Sequence, residues 1–369
     1  MRESPVIVMN FNKPSMRQLL FMIILGVLGF NYIGINALRV DSFIIDMGRF
    51  AILPLLVAGA LYRIGFYPFE LILVCLCMVS LIVGGAGNIM ALNALFLVIL
   101  IALTKRLSAD DFVGTGFFVL FMSLAAVVIL LSSGVLVDSV DDSGERVRRT
   151  FGFSNVNAIA SLVFSFILCL ILRVHGSSLY KEWLSLMISV PLFLATDTKS
   201  LLLGVLLYFV FRCSLPLFST GIISKFFLLV ILAFPIVFTQ LSSYISSVHP
   251  DIDTILSMRP LLFSRYIEQL PWYSYLIGGI SPGGDITIDN AFLLIQGALG
   301  VPFLVYLLWR TFYAVDQYFQ IGRLDVCAVI LAFWCYGYVE SSMIRPETIF
   351  SLIFWKIVFD RSSYLRDQN

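Results

Sequence analysis

The chain has 369 residues, 60% hydrophobic and only 13% charged, with a mean hydropathy of +0.97. Soluble domains carry about 25% charged residues, so the composition excludes a disordered chain and argues against an ordinary cytosolic enzyme. The net charge of +1, from 24 cationic and 23 anionic side chains, offers no basic surplus for nucleic acid.

Apolar runs follow one another at about 18–36, 43–62, 66–85, 88–103, 112–132, 156–174, 182–197, 199–214, 223–243, 290–309, 324–341 and 346–360. A spanning helix needs about 20 such residues. The expected fold class is therefore all-α: a polytopic integral membrane protein of about 12 transmembrane helices. It forms a single integral membrane domain over 1–369, with large outer loops at about 133–155 and 244–289. The start of the chain carries Arg2, Lys13 and Arg17 and has no small-residue cleavage site, so it reads as retained. All six cysteines lie inside apolar runs, which argues against a disulfide framework or a zinc site. No phosphate-binding glycine loop, zinc-spaced cluster or Gly-x-Ser-x-Gly elbow is present, and neither a metal nor another cofactor is expected.

Lys and Arg in short loops orient a membrane protein. Placing both termini in the cytoplasm puts fifteen cations inside and eight outside, with Arg49 left within the second run beside Asp46. The outer eight are Arg39, Arg146, Arg148, Arg149, Lys199, Arg259, Arg265 and Arg345. Several gather in the two long loops, against the insertion bias, so a role there has to retain them.

Three stretches carry the candidate chemistry. The first, Arg146-Val-Arg-Arg-Thr-Phe-Gly-Phe-Ser-Asn-Val-Asn157, leads into a span. Arginine forks suit a diphosphate, Gly152 permits a tight turn, and Asn155 or Asn157 can cap the helix that follows. A loop in which acidic residues simply offset the arginines fits equally. The second, Leu256 to Glu268, spaces its apolar residues like a short amphipathic helix bearing Arg259 and Arg265. Those arginines suit either a bound diphosphate or lipid phosphates. The third holds Asp289 and Asn290 where the long loop re-enters the membrane. A half-dehydrated Asp289 is a candidate general base, and a helix N-cap is the plainer alternative. Lys199 is either an anion contact or a snorkelling anchor. His249 is a second candidate base or a surface residue, and Glu340, Arg345 and Glu347 flank the last outer turn, where they can pair.

Arg148-Arg-Thr-Phe-Gly-Phe-Ser-Asn-Val-Asn157 resembles the Arg…Gly-Phe…Asn-Pro-Asn signature of Wzy-type polysaccharide polymerases and the related O-antigen ligases. Thr196-Asp-Thr-Lys-Ser200 resembles that superfamily's Thr-x-Ser-Arg turn, and Ser257-Met-Arg259 its Ser-Gly-Arg step. Gly278-Gly279, then Asp289-Asn290-Ala-Phe-Leu and Gly300, resemble its closing segment. Val156 stands where the pattern has Pro, Lys199 where it has Arg, and Met258 where it has Gly.

The resemblance implies a GT-C-like, inverting, metal-independent glycosyltransferase in a bacterial inner membrane, with no cofactor. It would join polyprenyl-diphosphate-linked oligosaccharide units into O-antigen, capsule or exopolysaccharide on the outer face. Its implied partners are membrane lipid, a chain-length regulator and a flippase of the same pathway. Under it, Arg148, Arg149, Arg259, Arg265 and Lys199 hold the diphosphate, while Asp289, or else His249, takes the proton of the acceptor hydroxyl. Gly152, Asn155, Asn157 and Asn290 support the loops. The alternatives are an O-antigen-type ligase, or a flippase or secondary transporter of lipid-linked oligosaccharide.

Overall fold

The computed structural model describes residues 16–38, 68–85, 88–104, 107–141, 148–173, 179–218, 221–256, 258–280 and 288–359. The expected span at 43–62, with Asp46 and Arg49, and the first fifteen residues lie outside them. The described residues are almost entirely helical, with several apolar helices compatible with a membrane protein.

In chain order the helices are α1 (Met16–Asn36), α2 (Pro68–Gly84), α3 (Ile89–Thr104), α4 (Ala109–Ser132), α5 (Val156–Arg173), α6 (Leu179–Thr196), α7 (Lys199–Ser214) and α8 (Ile222–Gln240). The short α9 (Ser242–Val248), α10 (Pro250–Ile255), α11 (Arg259–Gln269) and α12 (Ser274–Ile277) come next. The chain ends on α13 (Ala291–Leu299), α14 (Val301–Gln320), α15 (Leu324–Tyr336) and α16 (Phe350–Phe359). A two-residue ladder, β1 (Val140–Asp141) with β2 (Arg148–Arg149), is antiparallel and sets Asp141 opposite Arg148.

Among the described residues three helices are long and apolar enough to cross a membrane. They become four if α8 and α9, bent by 61° at Leu241, count as one span. The expected run at 290–309 is not one helix. Gly300 adopts φ 86° and Pro302 follows inside the next helix, so the run divides into α13 and α14. The expected outer loop at 244–289 is largely built of α9 to α12.

Short helices are tolerated here because they are internal. Nine residues of α13 rise about 14 Å, roughly half a bilayer core, yet all nine are buried. The ten residues of α16 are also all buried. A helix apolar on every side needs neighbours on every side. α16 packs on α3, α4, α5 and α14, and α13 packs on α2, α3, α8, α12 and α14. The outer shell is apolar too: Ile82, Ile129, Leu194, Phe226 and Phe234 are all exposed. Apolar exposure on this scale is what a lipid-facing surface requires and a soluble monomer avoids.

Charged residues separate to opposite ends of these helices. At one end Lys181 meets Asp325 at 3.9 Å, Arg212 meets Glu182 at 3.8 Å and Lys225 meets Asp316 at 3.1 Å. Two cations read from the sequence as inner-loop residues are instead buried there. Lys356 Nζ donates to the carbonyl of Thr104, the last residue of α3, at 2.7 Å. Arg310 Nη2 donates to the carbonyls of Val358 and Phe359, which end α16, at 2.8 and 3.3 Å. Both satisfy carbonyls that a helix C-terminus leaves open, where positive charge is also favoured. Arg259, Asp289 and Glu340 lie at the opposite end.

Candidate active site

The segment before α5 is shaped by backbone conformation. Phe151 and Gly152 are both left-handed, at φ 50° and 78°, and the Phe151 N–H donates to Asp138 Oδ1 at 2.8 Å. A Cβ on Gly152 would lie 2.7 Å from Leu136 Cβ, so this turn requires glycine. Asn155 Oδ1 accepts the Asn157 N–H at 2.8 Å as α5 begins, and the Ser154 N–H donates to the carbonyl of Asn36 at the end of α1. Val156 is the first residue of α5. Arg148 is half-buried, with Nε lacking a hydrogen-bond partner, and Arg149 is exposed.

The second stretch forms α11, entered through Met258 at φ 60°. This left-handed conformation is one that favours glycine over a side-chain-bearing residue. Asp253, buried, accepts the Leu261 N–H at 3.0 Å and caps the helix that Met258 cannot. Arg259 opens α11 half-buried, and its Nη2 makes a long hydrogen bond of 3.5 Å to the carbonyl of Val339. Arg265, six residues further on, is exposed, as are His249 and Lys199.

The third stretch shows which residue caps the helix. Asn290, fully buried, is the cap: its Oδ1 accepts the Leu293 N–H at 3.0 Å. Its Nδ2 donates to Thr239 Oγ1 at 2.9 Å and to the Tyr338 carbonyl at 3.1 Å. Asn290→Ala removes the cap and strands buried groups on two neighbouring segments, an expected loss of about 2–4 kcal/mol. A melt in detergent measures it, and Asn290→Asp, which keeps the cap acceptor but turns a second oxygen toward the Tyr338 carbonyl, should lose at least as much. Asp289, just outside the cap and half-buried, is thereby left available for another role.

The Asn290 bond to Tyr338 brings that carboxylate into the neighbourhood of Glu340. The segment between α15 and α16 is buried along nearly its whole length, and Glu340 is only 7% exposed. Its backbone is extended, with the N–H donating to the Tyr336 carbonyl at 3.0 Å. Burial pushes the Glu340 carboxyl up to about 8, and Asp289 adds to the rise; Arg259, Ser200 and Arg345 pull the other way. Ser200 is near enough to act on this carboxylate. Even so, Glu340 Oε1 and Ser200 Oγ are both buried without a hydrogen bond of ordinary geometry. Tyr338, beside Arg259 and Asp253, has its phenol pushed up by burial.

One end of the molecule thus holds Arg259, Asp289, Glu340 and Arg345 together, with Ser200 near Glu340. Of the residues expected from the sequence, Arg259 and Asp289 enter this cluster and Asn290 frames it. Arg148 belongs to the hairpin that packs beside α6, and Arg149, Lys199, Arg265 and His249 are on the surface. Glu340 and Arg345, named from the sequence as charges able to pair at the last outer turn, complete the cluster, although no motif gave Glu340 a part in the chemistry. The signal available was three charges, Glu340, Arg345 and Glu347, placed between two apolar runs, where unpaired charge is expensive. Among the described residues no group of three His, Cys, Asp or Glu side chains is placed to hold a metal ion. No family model, curated protein or solved structure matches the chain.

Proposed function

We propose that this protein is a membrane glycosyltransferase that polymerises polyprenyl-diphosphate-linked oligosaccharide units into a surface polysaccharide. The observation that carries the reading is the gathering of two arginines and two carboxylates from separate parts of the chain at one end of an apolar bundle. Such a site offers what the transfer needs. The arginines hold the diphosphate and stabilise its growing charge as it leaves. A carboxylate removes the proton from the attacking hydroxyl. Arg148, Arg149, Lys199 and Arg265 lie on or near the surface, where they suit the approach of a lipid-linked anion.

The test is direct. Purified protein in lipid, given one defined lipid-linked unit and no ion gradient, is expected to produce a ladder of chain lengths. Transfer solely to an added foreign acceptor would identify a ligase instead. A flippase is the reading that the broken helices favour, because transporters build their sites at such breaks. The 61° bend between α8 and α9 and the break at Gly300 are of that kind. Movement of the unit between leaflets without chain growth would establish that function.

A further inference from the structure

We propose that Glu340, rather than Asp289 or His249, is the catalytic base that takes the proton from the acceptor hydroxyl. The inference rests on the polymerase reading and names the group that performs its central step. Four features of the structure support it. Glu340 is among the buried charged side chains, whereas His249 is exposed and Asp289 only half-buried. Its Oε1 is buried and makes no hydrogen bond of ordinary geometry, so it keeps an acceptor position for a donor hydroxyl. Its backbone is fixed within a buried turn whose other members are pinned: Thr348 Oγ1 donates to Arg345 and Ser342 carbonyls at 2.7 and 2.8 Å, and Trp355 Nε1 to the Met343 carbonyl at 2.9 Å. Finally, it lies beside Arg259, so a hydroxyl on Glu340 would be adjacent to a cation able to hold the leaving diphosphate.

In the step itself, the acceptor O–H bond breaks and its proton passes to Glu340. The acceptor oxygen forms a new bond to the anomeric carbon. The bond from that carbon to the diphosphate breaks, and its electron pair leaves on the diphosphate, which Arg259 and Arg345 stabilise. Oxidation states do not change, and no further reactant is consumed.

The charged and titratable groups facing Glu340 come from every element around it. They are Asp289 before α13, Arg259 on α11, Arg345 after the buried turn, Tyr336 at the end of α15 and Tyr32 on α1, with Glu347 acting on Tyr32 from the same turn. Asp289 is the neighbouring negative charge, and it is a positioning residue in this scheme. A like charge raises proton affinity, which strengthens a base as long as some of it remains ionised. Elongation by the wild-type enzyme should therefore rise with pH along an acid limb near 8.

The experiment compares wild type, Glu340→Gln and Asp289→Asn in lipid, following elongation of one defined unit across this limb, with melts of each variant. Glu340→Gln should lose about 100- to 10,000-fold in rate, with the limb gone and the melting temperature kept. Asp289→Asn should keep the limb but move it to lower pH, since a charge that raises the Glu340 value has been removed. Should Glu340→Gln fail to fold, Glu340→Asp decides: a slower enzyme with a displaced limb supports the assignment, and an unchanged one overturns it. A folded Glu340→Gln enzyme within about tenfold of wild type and with an intact limb overturns it, as does an Asp289→Asn enzyme without any limb. A wild-type protein that makes no ladder overturns the polymerase reading, and this assignment with it.

Discussion

Arg259→Ala is expected to slow chain elongation by about 100- to 1,000-fold, the usual loss when one preorganised donor to a developing anion is removed. Arg259 is placed for that task by α11, by the left-handed entry at Met258 and by its contact to the Val339 carbonyl 80 residues away. The variant also predicts a change of a different kind. Arg259 lowers the proton affinity of Glu340, so its removal should move the acid limb of the rate profile upward, above about 8. Asp289→Asn moves the same limb downward. Opposite shifts from two neighbours would locate the titrating group between them, which rates alone cannot do. Arg259→Lys keeps the charge but not the planar fork, so it should restore the limb while leaving most of the rate loss. Full-length chains from a folded Arg259→Ala enzyme would instead make this residue a lipid-phosphate anchor.

Gly278→Ala is expected to destabilise the fold by about 2–6 kcal/mol, from backbone strain and overpacking together. Gly278 adopts φ 70° and ψ −138°, a conformation that is essentially restricted to glycine. An added Cβ would also run into the carbonyl of Ala298. The crossing is close because the two segments are bonded: the Gly279 N–H donates to Ala298 O at 3.1 Å and the Ile280 N–H to Gly297 O at 2.9 Å. Asn88 Nδ2 reaches the same Ala298 carbonyl at 3.1 Å. No side chain there can move aside, since the obstacle is backbone. Against a total stability of about 5–15 kcal/mol, such a loss should appear as poor yield and early melting in detergent. A variant that melts within a degree or so of wild type would show that the crossing can open.

Several of the sequence readings depend on local chemistry, and the structure shows why they were accessible. The turn at Gly152 needs a left-handed residue, the start of α5 needs an oxygen acceptor, and Asp289-Asn290 announces a helix N-terminus. In each case the partners lie within a few residues, so spacing alone reveals them. The helical, apolar character is accessible for a similar reason, because it is a sum over composition and not a matter of arrangement. The same local reading offered Asp289 as base or cap, with Asn290 beside it as loop support. Which of them caps α13 follows from Thr239 and the Tyr338 carbonyl, both far away in the chain.

Composition and charge, then, determined an apolar helical protein whose outer cations needed an explanation. The tertiary structure decided which of them have one. Arg259 lies beside a buried carboxylate, while Arg265, six residues later on the same helix, points outward. Lys356 and Arg310 had been counted as ordinary inner-loop charges, yet they close the ends of α3 and α16. It also decided that a run long enough to span becomes two helices at Gly300. For the charges the physical reason is the same. Hydropathy is additive along a chain, but the cost of burying a charge depends on what surrounds it in space, and Glu340 acquires that environment only when α7, α11, α13 and α15 meet.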